Sequence, residues 1–156
     1  MKRSSYISWD SFFMGVSELA SLRSKDPNTR CGACIVKDKR IISVGYNGLP
    51  RGLDDDTTHP YDYWDKSNKN DFIVHAEENA IFNSTVDLKD SSLYLFCDRN
   101  YLPCSRCARG ITQKNIKEVV ITYELDSLDK GVNFVYDWSK TIHILASALV
   151  SVRSIK

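Results

Sequence analysis

Four side chains in two short motifs could together carry out metal-assisted hydrolysis. His75 and Glu77 lie two residues apart in HAEENAI, and Cys104 and Cys107 lie three apart in PCSRC. At the start of a helix, a Cys-x-x-Cys pair can turn both sulfurs towards one point, and the helix dipole and free N–H groups favour thiolates. One imidazole and two thiolates leave the fourth position of a zinc ion open for water, as in catalytic zinc sites. Glu77, which such a site does not need as a ligand, is then the predicted proton carrier.

Each motif by itself has a simpler interpretation. A lone Cys-x-x-Cys also fits a redox pair or half of a structural zinc site, and a lone histidine at a helix start is more often structural. Glu77 and Glu78 alone would most often form a solvated first helical turn. The two motifs together, on either side of one predicted strand, are far less expected by chance. We therefore predict a catalytic zinc site with His75, Cys104 and Cys107 as its ligands.

The elements that must position these side chains alternate between helices and strands. Apolar spacing and β-branched runs predict helices over 8–24, 75–83, 103–114 and 125–139, and strands over 31–36, 40–47, 92–97, 118–123 and 141–146. Alternating units of this kind require parallel pairing with helices on both faces of a sheet. We therefore predict an α/β fold, a three-layer α/β/α sandwich with a mixed five-stranded sheet whose last two strands are parallel.

The composition is typical of one globular domain, which we place over residues 1–156. Of the 156 residues, 42% are hydrophobic and 26% are charged, and the formal net charge is +1. This balance gives no electrostatic basis for binding a long nucleic acid, and no apolar run is long enough to span a membrane. Without a signal-peptide pattern we expect a cytoplasmic protein. Its five cysteines should then stay reduced, with Cys31 and Cys34 as small apolar residues of a strand.

HAEENAI together with PCSRC resembles the zinc-dependent cytidine and deoxycytidylate deaminase superfamily. RSKDPNTRCGACIV and GYNGLPRG, in the same order, are similar to segments of the deoxycytidylate (dCMP) deaminases, and the resemblance runs from about Trp9 to Tyr123. It implies a cytidine deaminase-like fold and a zinc-activated water that attacks C4 of the cytosine of dCMP. Glu77 would take a proton from that water, give it to N3, and later help protonate the departing amine. The products would be ammonia and dUMP, the precursor of thymidylate.

The resemblance also implies substrate contacts and regulation. Asn28 of DPN, Asn47 of GYNG and the backbone N–H of Ala76 would contact the nucleotide, and the hydroxyl of Tyr123 could reach its phosphate. Asn28 and Asn47 are also compatible with ordinary turn positions. Relatives of this kind form homo-oligomers, often hexamers, and many are activated by Mg²⁺–dCTP and inhibited by dTTP. The segment after GYNGLPRG, within residues 48–72, is the expected place for such effectors.

Two departures from the family pattern leave the substrate open. CDRNYL (97–102) is inserted before PCSRC, and we exclude Cys97 as a fourth zinc ligand because a closed site would leave no water to activate. The loop that begins at Tyr123 is acidic, so a cation elsewhere or a set of backbone donors must meet the phosphate. The sequence does not choose among the candidates Arg30, Arg51, Arg99, Arg106 and Arg109.

The alternatives to dCMP deamination fall into three classes. The first is a related deaminase acting on cytidine, dCTP, a modified dCMP or another amino-heterocycle. The second is an enzyme that edits RNA or DNA, which the neutral charge balance disfavours. The third is a non-catalytic zinc-binding domain, and Glu77 argues against it because structural sites need no proton carrier.

Overall fold

The structure, a computed structural model, describes residues 3–53, 60–99, 101–122 and 138–155. These residues form five α-helices and five β-strands. In order they are α1 (Trp9–Ser21), β1 (Cys31–Lys37), β2 (Arg40–Tyr46), α2 (Lys69–Phe72), α3 (Ala76–Asn83), β3 (Ser92–Cys97), α4 (Ser105–Gln113), β4 (Glu118–Ile121), α5 (Ser139–Ser147) and β5 (Ser151–Ser154). Helices and strands alternate from α3 onwards. None of the described helices is both long enough and apolar enough to cross a membrane.

The five strands form one mixed sheet in the order β2-β1-β3-β4-β5. β1 runs antiparallel to both β2 and β3, whereas β3, β4 and β5 are parallel. Asp38 and Lys39 both have positive φ, as a two-residue hairpin turn of type I′ requires, and they connect β1 directly to β2. The predicted mixed five-stranded sheet with a parallel final pair is confirmed.

Helices cover both faces of this sheet, as the three-layer prediction requires. Phe13 and Met14 of α1 pack on one face against a cluster that includes Cys34 and Tyr94. On the opposite face, α3, α4 and α5 bury a larger apolar cluster whose members include Ala33, Ile35, Ala80, Ile81, Leu93, Ile111, Val119 and Leu145. Successive residues of β1 therefore contribute to opposite layers, which is why this strand is apolar throughout instead of alternating with polar residues.

The last strand lies ten residues later than predicted. Residues 141–146, which we expected to form a strand, belong to α5, and the strand is Ser151–Ser154. Thr141 and Leu145, four residues apart, are buried, whereas Ile142 between them is exposed, so the segment buries one helical face. The β-branched residues of TIHILA favour a strand by local propensity, but the burial of residues four apart is the pattern of a helix. The helix predicted over 125–139 falls, up to residue 137, outside the described residues.

Cys31 and Cys97 form a disulfide, so the prediction that all five cysteines are reduced is wrong. The two residues face each other in the antiparallel β1–β3 ladder, with Cα atoms 4.1 Å apart. They are 66 residues apart in the sequence, and only the register of the two strands brings them together. Cys34 is a buried thiol of the core as predicted, and burial raises its pKa to about 12.

Candidate active site

The start of α3 is fixed to the sheet so that His75 and Glu77 reach one cavity. Gly48 and Val74 exchange backbone hydrogen bonds of 3.1 and 2.9 Å, which hold the residue before His75 against the end of the β2 segment. His75 itself is extended, with ψ of 157°, and forms the N-cap of the helix. Its backbone N–H donates to Glu78 Oε2 at 3.4 Å, so Glu78 stabilises the helix start, whereas Glu77 lines the cavity.

The two cysteines of PCSRC lie in the first turn of α4, as predicted. Cys104 is the N-cap of the helix, and its sulfur accepts the N–H of Cys107 at 3.5 Å. The carbonyl of the preceding residue, Pro103, accepts a hydrogen bond from the buried Thr141 hydroxyl at 2.9 Å. The helix α5 that we predicted as a strand therefore supports the loop that carries the two sulfurs.

The three predicted ligand atoms meet at one point. His75 Nδ1 is 3.5 Å from Cys104 Sγ and 3.4 Å from Cys107 Sγ, and the two sulfurs are 3.5 Å apart. With zinc–sulfur bonds of about 2.3 Å and zinc–nitrogen bonds of about 2.0 Å, tetrahedral ligands would be separated by about 3.5 to 3.8 Å. One nitrogen and two sulfurs at these separations fit a zinc ion with one position left for water.

The three donor groups of this cluster shift one another's pKa values. The hydrogen bond with Cys107, followed by that with His75, lowers the pKa of Cys104 to about 3. The hydrogen bond to Cys104 together with burial raises the pKa of Cys107, and the hydrogen bond to Cys104 raises the pKa of His75. A divalent cation would displace the protons of this cluster and stabilise both thiolates.

Glu77 is a buried carboxyl beside this cluster. It lies in the first turn of α3, its residue is 5% exposed, and burial raises its pKa, an effect that the nearby His75 partly offsets. A raised pKa brings a carboxyl closer to the neutral range, where it can both accept and donate a proton. Its position therefore suits proton transfer, whereas Glu78 accepts hydrogen bonds from the His75 backbone and from Arg106 Nη2.

A cavity of about 300 Å³ joins these groups to a polar cluster and an apolar wall. This volume is at the lower end of the range typical of small-molecule sites. The lining residues are the site residues His75, Ala76, Glu77 and Cys104; the polar or charged residues Asp26, Thr29, Asn47, Lys69, Asn70 and Arg106; and the largely apolar residues Cys31, Ile73, Cys97, Tyr101, Leu102 and Trp138. A small polar molecule with one flat apolar part would match this lining.

The predicted substrate contacts have different positions relative to the cavity. Ala76 and Asn47 line it, whereas the side chain of Asn28 is exposed outside the cavity lining. Asn47 Nδ2 donates to Asp26 and to the Thr29 carbonyl, so both of its N–H groups are used within the protein. Tyr123 lies outside the described residues. Of the five candidate arginines, only Arg106 lines the cavity.

Sequence reasoning missed Asp26 and Lys69. The Asp26 side chain is fully buried, and its carboxylate accepts the backbone N–H groups of Asn28 and Thr29 at 2.8 and 3.2 Å. Lys69, at the start of α2, forms an ion pair with the same carboxylate. Asp26 belongs to the DPN turn, where an aspartate that binds its own backbone is common, and this was an available signal. No local pattern pointed to Lys69, because its partner Asp26 is far away in the sequence.

Comparison with known proteins agrees with this geometry. The sequence profile described as the cytidine and deoxycytidylate deaminase zinc-binding region matches residues 7–123. Deoxycytidylate deaminases of Pongo abelii and Homo sapiens are 41% and 40% identical to the chain over 127 residues, which are 76% of this chain and 67% of each relative. The crystal structure of dCMP deaminase from the cyanophage S-TIM5 in complex with dCMP and dUMP is 25% identical, with a TM-score of 0.67 over 96% of this chain and all of that one. The chain therefore belongs to the cytidine and deoxycytidylate deaminase family, which is defined by this zinc-binding region.

Proposed function

We propose that the chain is a zinc-dependent deaminase that converts dCMP and water into dUMP and ammonia. The observation that carries the proposal is the position of a buried carboxyl, Glu77, in a cavity that is also lined by His75 and Cys104, which form a cluster of nitrogen and sulfur donors with Cys107. The relatives named above as deoxycytidylate deaminases, and the cyanophage enzyme with dCMP and dUMP bound, support this substrate.

His75, Cys104 and Cys107 would hold the zinc ion. When bound, zinc supplies a Lewis acid that lowers the pKa of water to near neutrality. Glu77 accepts a proton from the attacking water and delivers it to N3 of the cytosine as the oxygen bonds to C4. Glu77 then transfers the second proton of that water to the amino group, and the C4–N bond breaks to release ammonia. The raised pKa of the Glu77 carboxyl suits this alternation between base and acid.

The remaining substrate contacts follow from the cavity lining. Ala76 is the first residue of α3, so its N–H has no acceptor within the helix and is available to the pyrimidine. Asn47 Oδ1 accepts the Cys31 N–H, and its second lone pair remains for a sugar hydroxyl. Asn28 and Tyr123 stay predicted contacts of the nucleotide. Location in the cytoplasm likewise stays a prediction, which cell fractionation would test.

Effector binding and oligomer formation are further parts of the proposal. A second cavity of about 180 Å³ is lined by Arg23, Lys25, Tyr46, Gly48, Leu49, Leu53 and Trp64, of which Leu53 and Trp64 belong to the segment after GYNGLPRG. Two cations and two aromatic rings suit a nucleotide triphosphate, dCTP with Mg²⁺ or dTTP. Exposed apolar residues of α1 and the segment before it support a homo-oligomer, for which a hexamer is the predicted form; they are Tyr6, Ile7, Trp9, Phe12 and Leu19.

Activity on a panel of cytosine compounds tests the substrate. Purified chain should contain about one zinc ion per molecule and release ammonia faster from dCMP than from deoxycytidine, cytidine or dCTP. Preference for another cytosine compound would support the related-deaminase alternative instead. Zinc without any deamination would support a non-catalytic zinc-binding domain.

The proton carrier is tested by replacing Glu77 with glutamine. Glu77→Gln keeps the size of the side chain but cannot exchange a proton, so kcat should fall by about 10²- to 10⁴-fold while zinc content is unchanged. Glu78→Gln, a change of the same chemistry one residue later, should keep kcat within about threefold. Normal turnover by Glu77→Gln would show that another group moves the proton.

A further inference from the structure

The wall of the cavity contains a cation that the sequence did not indicate. A nucleotide monophosphate carries close to two negative charges near neutrality and needs a positive partner. Among the described residues, Lys69 and Arg106 are the lysine and arginine side chains that line the cavity. We propose that Lys69 binds the 5′-phosphate of the substrate and thereby selects nucleotides over nucleosides, an inference that rests on the proposed dCMP deamination.

Asp26 holds the Lys69 ammonium in place but does not use all of its N–H donors. The Lys69 side chain is only 19% exposed, and its ammonium pairs with the fully buried Asp26 carboxylate. That carboxylate also accepts two backbone N–H groups and Asn47 Nδ2, the last at 3.2 Å. These three neutral donors already stabilise much of its charge, and an ammonium has three N–H donors. Donors of Lys69 therefore remain for a phosphate at the cavity surface.

Arg106 is less suited to this role because of where it lies. It stands between Cys104 and Cys107 in the first turn of α4, so it lies beside the ligand cluster. C4 of the base must react at that cluster. Its Nη2 already donates to Glu78 Oε2 at 2.9 Å. In a cytosine nucleotide the ring and the deoxyribose separate C4 from the phosphate. The phosphate should therefore lie against the group of lining residues that is bonded to Asp26, which includes Lys69, and not against the ligand cluster.

The proposal is tested by comparing dCMP with deoxycytidine, which lacks the phosphate. In zinc-loaded protein, Lys69→Gln should lower kcat/KM for dCMP on the order of 10- to 100-fold, mainly through KM, because a charge-assisted bond to the substrate is lost. The value for deoxycytidine should change less than about threefold. Arg109→Gln, on the exposed side of α4 and outside the cavity lining, is the matched control and should leave both values unchanged.

A second pair of variants avoids the buried ion pair. Lys69→Gln leaves Asp26 without its cationic partner and can destabilise the fold. Asn70 is exposed, lines the same cavity and lies next to Lys69. Asn70→Asp should raise KM for dCMP several-fold by repulsion and Asn70→Lys should lower it, with little effect on deoxycytidine.

The outcomes separate this inference from the proposed function. If the wild type deaminates dCMP but its preference over deoxycytidine is kept in Lys69→Gln and in both Asn70 variants, Lys69 does not bind the phosphate. The same conclusion follows if Arg106→Gln is the change that removes the preference. Equal losses for dCMP and deoxycytidine in Lys69→Gln, with no response to the Asn70 charges, would make Lys69 a structural partner of Asp26 only. A wild type that does not favour dCMP would overturn the proposed function and this inference together.

Discussion

Gly45 of β2 lies so close to α3 that any side chain there would meet helix backbone. A Cβ at this position would be 2.3 Å from the Ala80 nitrogen and 2.5 Å from the Ala76 carbonyl oxygen. Both are backbone atoms, so neither can rotate away as a side chain would. The helix they belong to begins directly after His75 and carries Glu77 in its first turn. Gly45→Ala should therefore disturb stability and the site together.

The size of the effect follows from these distances. Ordinary contact begins at 3.4 Å, so α3 must retreat from the sheet by about 1 Å, or the strand must bend by as much. Overpacking of this kind typically costs about 1–3 kcal/mol of unfolding free energy. A catalytic group misplaced by about 1 Å can lose about 10²-fold in rate. We expect losses of these magnitudes in Gly45→Ala.

Urea unfolding measures the loss of stability, and kcat of the zinc-loaded protein measures the loss of rate. The matched control is Gly15→Ala in α1, where a Cβ would meet nothing within 4 Å. Because alanine is the better helix former, this change should raise the unfolding free energy by about 0.5–1 kcal/mol and leave kcat unaltered. A Gly45→Ala protein with the wild-type urea midpoint and kcat would refute the described packing of α3 on β2.

Three further predictions concern the metal, the cysteines and acid stability. Cys104→Ala should lose zinc and lower the thermal unfolding midpoint, because metal binding is coupled to folding. Metal analysis and calorimetry measure these two effects, and full zinc occupancy would argue against Cys104 as a ligand. Zinc-free chain unfolded without reductant should react as three free thiols, and as five after reduction, because Cys31 and Cys97 are bonded; five in both conditions would contradict the disulfide. The hydrogen bond from Arg153 lowers the pKa of Asp10 in the folded state below its ordinary value of 3.8. Ionised Asp10 therefore stabilises the fold at pH values above 3.8, and this stabilisation is lost as the pH falls through the folded-state pKa. Urea midpoints should thus fall less between pH 5 and pH 3 in Asp10→Asn than in the wild type, and equal slopes would exclude this contribution.

The sequence by itself determined the parts of the site that depend on local geometry. HAEENAI and PCSRC place His75, Cys104 and Cys107 at helix starts, where caps and short spacings fix the direction of the side chains within one turn. Ligand chemistry then required only that the two helix starts meet, and the alternating pattern of helices and strands indicated a sheet that could bring them together. The family resemblance, carried by the same segments, agrees with the comparisons.

Local pattern failed where one apolar run fits two elements. TIHILASALVSV supports both a strand and a helix by composition, and we placed the last strand at 141–146. The structure places a helix there because only one face of the segment is buried, and Leu149, with a φ of 57°, ends the turn before β5. Burial on one side or two depends on what packs against the segment, which the local sequence does not contain.

Only the tertiary structure decided the partners that are distant in sequence. The β1–β3 register places Cys31 opposite Cys97, and the position of α2 brings Lys69 to Asp26 beside the cavity. Strand register and helix placement are set by the burial of the whole core, not by the residues that they bring into contact. For this reason the cluster of His75, Cys104 and Cys107 could be predicted from two short motifs, whereas the pairing of Lys69 with Asp26 became visible only in the folded chain.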